Sequence, residues 1–154
     1  MSEIKIIQGE INRDERGWIS SLNAFRFEGV ERFYIIHHPD ASVVRGWHGH
    51  KHERKWFYCL KGSFSLAFVR PDDWENPSDD LVPEIFTLTA DDSKILCLPE
   101  GYANCIKAHE DGSMLLVFSG KILDEALLDS WRYDKNRWVD WSSVVTTLSL
   151  RVAK

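Results

Sequence analysis

The most informative segment of the sequence is Arg45 to His52, which reads Arg-Gly-Trp-His-Gly-His-Lys-His. Its three histidines, His48, His50 and His52, stand at alternate positions. Because successive side chains of a strand point to opposite faces, a strand here would project all three from one face. The apolar run Trp56 to Leu60 follows, as expected for a buried strand. The pattern predicts a row of imidazoles on an otherwise apolar sheet, and polar groups so placed need partners.

Composition limits the classes of protein to which the chain can belong. With 154 residues, 44% hydrophobic and 28% charged, it is expected to form one globular domain over residues 1–154. A net charge of −5 argues against nucleic-acid binding, which needs a basic face. Cys59, Cys97 and Cys105 are an odd set without metal-site spacing, which predicts reduced thiols and a cytoplasmic protein. No signal peptide or membrane span is predicted.

Most of the chain consists of short β-rich segments separated by turn signals. Residues 64–69 show the clearest alternation, with Phe64, Leu66 and Phe68 on one face, and Asp111-Gly112 is a hairpin signal. Residues 12–17 are expected to form a charged turn. Strands are predicted over residues 4–7, 18–22, 32–38, 56–60, 64–69, 84–89, 94–98, 103–109 and 113–118. Many short strands favour a closed or double-sheet β architecture, whose interior is the usual ligand site.

The last third of the chain has a different pattern. Residues 124–131 predict a short helix, because Leu127, Leu128 and Trp131 have helical spacing. The aromatic and charged segment 133–141 is expected to cover one end of the sheet irregularly. Residues 142–152 suit either a strand or a helix.

Several motifs together resemble those of a known family. Arg45 to Lys51 resembles the Arg-Gly-x-His-x-His-Lys signature of the sugar-nucleotide 3,4-ketoisomerases, or WxcM-like proteins. Asp14 to Gly17, Arg32 to Tyr34 and Pro99 to Tyr102 are similar to further family motifs in the same order. The resemblance covers roughly residues 10 to 135. These proteins are cupins related to dTDP-4-dehydrorhamnose 3,5-epimerase.

The resemblance implies both a fold and a reaction. The fold is all-β, a double-stranded β-helix (the cupin jelly roll) with a short C-terminal helical segment, assembled as a homodimer. The expected ligand is a nucleotide-diphosphate sugar, with dTDP as the expected nucleotide. The implied activity is isomerisation or epimerisation of a 4-keto-6-deoxyhexose by histidine-mediated proton transfer, with no metal and no redox cofactor.

The resemblance also assigns roles to single residues. His48 matches the base shared with the 3,5-epimerases, and His50 matches a second histidine typical of the ketoisomerases. Tyr34 matches a tyrosine on the adjoining strand that can relay a proton. These three are the candidate catalytic residues.

Substrate-binding roles follow from the same comparison and from side-chain chemistry. Arg16 and Arg45 match residues near the diphosphate and the sugar, and a forked guanidinium suits a diphosphate. Arg45 or Lys55 can stabilise the enediolate formed when a proton beside a carbonyl is removed. Trp47 and Trp74 are candidates for stacking on the sugar ring.

Two departures from the family pattern keep alternatives open. Phe118 is aligned with the acid tyrosine of the 3,5-epimerases, and Asn104 stands where many cupins have a further histidine. Both favour a non-catalytic cupin that binds a sugar nucleotide or carbohydrate. A metal-dependent cupin would need Glu53 as a ligand, although it stands one position early.

The histidines outside the motif have more ordinary interpretations. His37 and His38 are adjacent and face opposite sides of a strand, so one of them is a candidate for the cavity. His109, at a strand end, is expected to face solvent. His52 extends beyond the motif, and its role stays open.

Overall fold

Antiparallel strands make up about half of the computed structural model, which describes residues 3–144. The strands, in chain order, are β1 Lys5–Gln8, β2 Glu10–Asp14, β3 Gly17–Ser21, β4 Arg32–His38, β5 Val44–His50, β6 Lys55–Lys61, β7 Ser63–Val69, β8 Glu84–Thr89, β9 Lys94–Leu98, β10 Tyr102–Ala108, β11 Ser113–Ser119 and β12 Trp131–Arg132. One helix, α1, spans Leu123–Leu128, and a helical turn at 141–144 ends the described chain.

The strands form two five-stranded sheets and a separate hairpin. The first sheet has the order β1-β9-β6-β11-β4, the second has the order β12-β5-β10-β7-β8, and β2 pairs only with β3. The all-β jelly-roll prediction is therefore confirmed, with α1 as the short C-terminal helical segment. No helix among residues 3–144 is long and apolar enough to span a membrane.

The main core lies between the two sheets. Phe57 and Leu115 of the first sheet pack with Phe64, Leu66 and Phe68 of the second, and all five are almost completely buried. The alternating apolar residues of 64–69 therefore form the inward face of β7, as predicted. A core of this kind needs no covalent or metal support at this chain length.

A second apolar layer covers the outer face of the second sheet. Val139 and Trp141 pack there against Trp47 and Cys105. The backbone of Trp47 also exchanges two hydrogen bonds with the backbone of Tyr133, at 3.1 and 3.2 Å. The predicted cover over 133–141 is present, but it lies on the outer face of this sheet and not over one end, as the sequence analysis expected.

A β-bulge in β5 determines which side chains face inward. Asn104 of β10 pairs with His48, but the next residue, Cys105, pairs with Gly46, so Trp47 is an extra residue in β5. Gly46 has a φ of +142°, and a Cβ there would lie 2.7 Å from the Asn104 carbonyl oxygen. Without the bulge, Arg45 and His48 would face opposite sides.

The structure differs from the sequence-based expectations at several places. Residues 12–14 belong to β2, so the predicted turn is limited to Glu15 and Arg16. The histidine row ends at His50: the Asp129 carboxylate accepts hydrogen bonds from the backbone N–H groups of Lys51 and His52, and His52 lies in an exposed bend. The short strand β12 was not predicted. Of the ambiguous segment 142–152, only the first three residues are among those described.

Candidate active site

A cavity of about 260 Å³ lies between the two sheets, beside β4 and β5. Side chains of β4, β5, β6 and β10 form its walls, and α1 with the segment after it borders the opening. The lining residues are Arg32, Tyr34, Ile36, Arg45, Gly46, His48, His50, Lys55, Phe57, Asn104, Ile106, Leu123, Ala126, Leu127, Ser130 and Arg132. Five predicted site residues therefore meet here: Tyr34, Arg45, His48, His50 and Lys55.

The two histidines of β5 are neighbours on the cavity wall, with ring centroids 4.4 Å apart. The imidazole Nε2 of His48 is hydrogen-bonded to Ser130 Oγ at 2.8 Å. The imidazole Nδ1–H of His50 donates to the Asp129 carbonyl oxygen at 2.5 Å. Because a carbonyl only accepts, the neutral ring of His50 carries its proton on Nδ1 and its lone pair on Nε2.

Both imidazoles are neutral at neutral pH. Burial, helped by the neighbouring His50 and Lys55, lowers the pKa of His48 to about 3. Burial, with Lys55 as the second cause, lowers the pKa of His50 to about 4, against the opposing effect of the Asp129 carbonyl. The pair can therefore accept protons in the resting protein.

All four charged residues that line the cavity are basic: Arg32, Arg45, Lys55 and Arg132. Lys55 is almost fully buried, and among residues 3–144 no carboxylate lies within 4.0 Å of its ammonium group. A buried cation without a partner is costly. The cavity is therefore suited to a ligand with negative charge.

Sequence reasoning assigned no positioning role to three residues that contact the histidines. Asp129 and Ser130 are hydrogen-bonded to His50 and His48, although they stand about 80 positions later in the chain. No local sequence pattern indicates these contacts. Glu53 was weighed only as a metal ligand, yet its Oε2 lies 3.1 Å from His50 Nδ1. The separation of only three residues between His50 and Glu53 is the sequence feature that could have indicated this contact.

Two predicted substrate-binding residues lie away from the cavity. The side chain of Arg16 is 83% exposed and forms an ion pair with Asp14 at 2.6 Å, in the turn between β2 and β3. Trp47 is adjacent to the inward-facing His48 on β5, so it lies on the outer face of the second sheet, where it is buried and its indole N–H donates to the Arg137 carbonyl. Stacking of Trp47 on a sugar in this cavity is therefore not possible.

Other aromatic residues named from the sequence also lie outside the cavity. Phe118 projects from the outer face of the first sheet, with ring centroids 5.8 Å from Phe25 and 5.5 Å from Phe27. A tyrosine at this position would not reach the cavity either, so the replacement of tyrosine by Phe118 does not cost the cavity a proton donor. Trp74 lies against Trp131, with ring centroids 5.7 Å apart, outside the second sheet.

The remaining histidines do not line the cavity either. His37 is exposed on the outer face of β4, and His38 points inward but is sealed in the core. His109 was expected to face solvent. It is instead half-buried, and its two ring nitrogens are hydrogen-bonded to the hydroxyls of Ser63 and Ser65 at 2.8 and 2.7 Å.

The described residues offer few side chains that could bind a metal ion together. Within residues 3–144, no three His, Cys, Asp or Glu side chains are arranged to hold a metal ion. Asn104, which pairs with His48 across the sheet, supplies an amide to the cavity where a further imidazole would be needed.

Two larger depressions open on the outer surface. One, of about 780 Å³, lies under the C-terminal segment beside Trp138 and Trp141, and the other, of about 540 Å³, lies beside Arg54 and Trp56. Neither contains a histidine. Of these three cavities, only the smallest combines imidazoles with a buried lysine that has no carboxylate partner among residues 3–144, and it is the candidate active site.

A two-sheet jelly roll with histidines projecting into the space between its sheets defines a cupin-type protein. Residues 2–135 match the family described as FdtA: WxcM-like, C-terminal. The match covers most of the chain, and the protein belongs to this family. A comparison with curated proteins finds no match.

Solved structures share this fold. One is a histidine-to-asparagine variant of the 3,4-ketoisomerase QdtA from Thermoanaerobacterium thermosaccharolyticum, in complex with TDP-4-keto-6-deoxyglucose. It has 23% sequence identity and a TM-score of 0.67, and the match covers 86% of this chain and 89% of that chain. The TDP-quinovose 3,4-ketoisomerase WlaRB from Campylobacter jejuni has 23% identity and a TM-score of 0.64, with 86% and 95% covered.

A second group of similar structures contains epimerases. The dTDP-4-dehydrorhamnose 3,5-epimerase from Bacillus anthracis, with TDP and pyrophosphate bound, has 14% identity and a TM-score of 0.71. The match covers 87% of this chain and 80% of that chain. At these identities the likeness concerns the fold.

Proposed function

We propose that the protein is a sugar-nucleotide isomerase that moves the keto group of a dTDP-linked 4-keto-6-deoxyhexose between C4 and C3. One observation carries the proposal: two neutral imidazoles line a cavity whose charged lining groups are all basic. Membership of the WxcM-like family supports this class of substrate. Similar structures were solved with TDP or TDP-4-keto-6-deoxyglucose bound.

The reaction needs proton transfers only. A proton on a carbon beside a carbonyl is acidic enough for a positioned imidazole to remove. In our proposal His48 takes the C3 proton, His50 in its charged form supplies the C4 proton, and Tyr34 relays the hydroxyl proton from O3 to O4. The enediolate between these steps is stabilised by the positive charge of the buried Lys55. Exchange with solvent restores both histidines.

The size and charge of the cavity suggest how the substrate lies. A volume of about 260 Å³ is slightly below the range of about 300–1,000 Å³ typical of small-molecule sites. We infer that the hexose occupies the cavity while the nucleotide lies outside. The exposed guanidinium groups of Arg45 and Arg132 can then bind the diphosphate. Its negative charge would also raise the pKa of both imidazoles toward the working range.

The proposal includes a homodimer in which Arg16 acts on the other copy. Apolar side chains are exposed on the β2–β3 hairpin, such as Ile19 at 69%, and on the outer face of β4, such as Phe33 at 64%. An exposed apolar surface of this kind is typical of a protein interface. Because Arg16 does not line the cavity of its own chain, it can serve the diphosphate only from a neighbouring copy.

Turnover of dTDP-4-keto-6-deoxyglucose followed by NMR tests the proposal. We expect wild type to form the 3-keto isomer and His48→Asn to lose about 10²–10⁴-fold in rate, the usual contribution of a general base. His37→Asn is the matched control, because His37 is exposed on the outer face. Failure of wild type on dTDP, UDP and GDP sugars, or equal rates for His48→Asn, would contradict the proposal.

The second candidate, a sugar-nucleotide-binding protein without activity, is favoured by one observation. A pKa of about 3 makes His48 a weak base, and its Nε2 is already hydrogen-bonded to Ser130. Calorimetric binding of dTDP sugars without turnover would select this candidate.

A further inference from the structure

We propose that Glu53 is a positioning residue for His50: its buried carboxylate holds the imidazole and stabilises the charged form that supplies a proton to the sugar. The inference rests on the proposed function and deepens it. Glu53 does not line the cavity, so it acts through residues that do, and His50 is the nearest of them at 3.1 Å.

Glu53 is held rigidly in the connection between β5 and β6. Its side chain is buried, with the residue 2% exposed. Oε1 accepts a hydrogen bond from Ser119 Oγ and lies 3.6 Å from Arg32 Nη2. Oε2 lies 3.1 Å from His50 Nδ1 and has no hydrogen-bond partner among residues 3–144. A buried carboxylate oxygen in this state is costly unless a positive charge forms beside it.

The position of Oε2 relative to the ring gives the carboxylate its effect. The Nδ1–H of His50 donates to the Asp129 carbonyl, so a proton gained by the ring must go to Nε2. The resulting imidazolium has its positive charge within 3.1 Å of Glu53 Oε2. When Nε2 gives this proton to C4 of the sugar, the ring returns to the neutral form with Nδ1–H in place.

Other groups around His50 oppose or support its charge. Those that face it from neighbouring elements are Lys55 on β6, Arg32 on β4, His48 on β5 and Asp129 after α1. Lys55 and Arg32 disfavour the imidazolium, and the carbonyl and carboxylate of Asp129 favour it. Asp129 is partly exposed, whereas Glu53 is buried, so the charge of Glu53 is less screened by solvent.

The test is Glu53→Gln, which keeps the shape of the side chain and removes its charge. The matched control is Glu125→Gln on α1, where the glutamate is exposed and pairs with Lys121 at 3.7 Å. Removing an opposite charge this close should lower the pH at which His50 is half protonated by about 1–3 units. With a pKa of about 4, roughly a tenth of wild-type His50 is protonated at pH 5, and NMR of labelled histidine should find at least about tenfold less in Glu53→Gln.

Kinetics provide the readout that a purely structural role would not change. The basic limb of the kcat–pH profile reports the charged form of His50 and should move to lower pH by about 1–3 units in Glu53→Gln. We expect KM to change less than kcat, and Glu53→Asp to recover part of the loss. Glu125→Gln should match wild type in every measurement.

The NMR titration needs no substrate, so it separates this inference from the proposed function. Loss of His50 protonation in Glu53→Gln, with no turnover by wild type on any sugar nucleotide, would support the role of Glu53 and reject the isomerase. Equal protonation of His50 in folded Glu53→Gln and wild type would overturn the inference. If Glu53→Gln does not fold, ¹⁵N shifts of wild type decide: the proton must be on Nδ1 of neutral His50, and finding it on Nε2 would overturn the inference.

Discussion

The buried imidazole of His38 should make the free energy of unfolding fall as the pH is lowered. Its imidazole is completely buried at the end of β4, edge-on to Phe64 with ring centroids 5.4 Å apart. Neither ring nitrogen has a hydrogen-bond partner among residues 3–144. Burial lowers its pKa from 6.5 to about 4, and the charges of Arg45, Lys107 and His37 contribute further.

The sign and size of the effect follow from this difference. Since the folded protein binds the proton less tightly than the unfolded chain, stability falls as pH drops from about 6.5 toward 4. At pH 5 the cost of keeping His38 neutral is about 2 kcal/mol, and below pH 4 it approaches about 3 kcal/mol. Above about pH 7 the effect disappears.

The perturbation is His38→Leu, which removes the titrating group at a similar volume. The assay is urea unfolding followed by tryptophan fluorescence at pH 8 and pH 5. Between these values we expect the free energy of unfolding to fall by about 2 kcal/mol more for wild type than for the variant. At pH 8 the variant should be at least as stable, because no unpaired polar group is buried.

His37→Gln is the control, because His37 is the exposed neighbour of His38 on the same strand. Its pH dependence should stay close to that of wild type, because the charge of His37 is the smallest of the causes that lower the pKa of His38. If His38→Leu also keeps the full wild-type loss between pH 8 and pH 5, the interpretation of His38 as a buried neutral group is refuted.

Three further predictions concern residues away from the cavity. Mixing inactive Arg16→Ala and His48→Asn under conditions that exchange subunits should restore about a quarter of the activity if Arg16 serves the other copy of a dimer, and activity assays showing no recovery would reject that role. Trp47→Phe should lower the free energy of unfolding by about 1–3 kcal/mol, since it leaves the Arg137 carbonyl without its donor; a raised KM for the sugar nucleotide would show that Trp47 binds substrate after all. Phe118→Tyr should leave the products unchanged by NMR, because the ring lies on the outer face, and a gain of C5 epimerisation would contradict this placement.

The parts of the fold and site that could be predicted depend on local sequence periods. The inward face of β7 follows from Phe64, Leu66 and Phe68, because alternation is fixed within one strand. In the same way His48 and His50 are two residues apart on β5 and share a face with no help from the rest of the chain.

The parts that could not be predicted depend on distant segments. Arg45 reaches the cavity only because a bulge forms against β10, since strict alternation with His48 would turn its side chain to the outer face. Asp129 ends the histidine row by accepting from the backbone of His52, although the two are 77 positions apart. Arg16 illustrates the same limit, since the motif that suggests a substrate-binding arginine does not show that its side chain lies in an exposed turn away from the cavity.

The proposed function requires the imidazoles of the cavity to move protons on a bound keto sugar. Turnover of dTDP-4-keto-6-deoxyglucose in deuterated water, with the products analysed by NMR, measures these proton transfers. We expect one deuterium at C4 of the 3-keto product from wild type, because His50 exchanges its proton with solvent before supplying it. Product that carries only protium at C4, or no product at all, would contradict the proposed function.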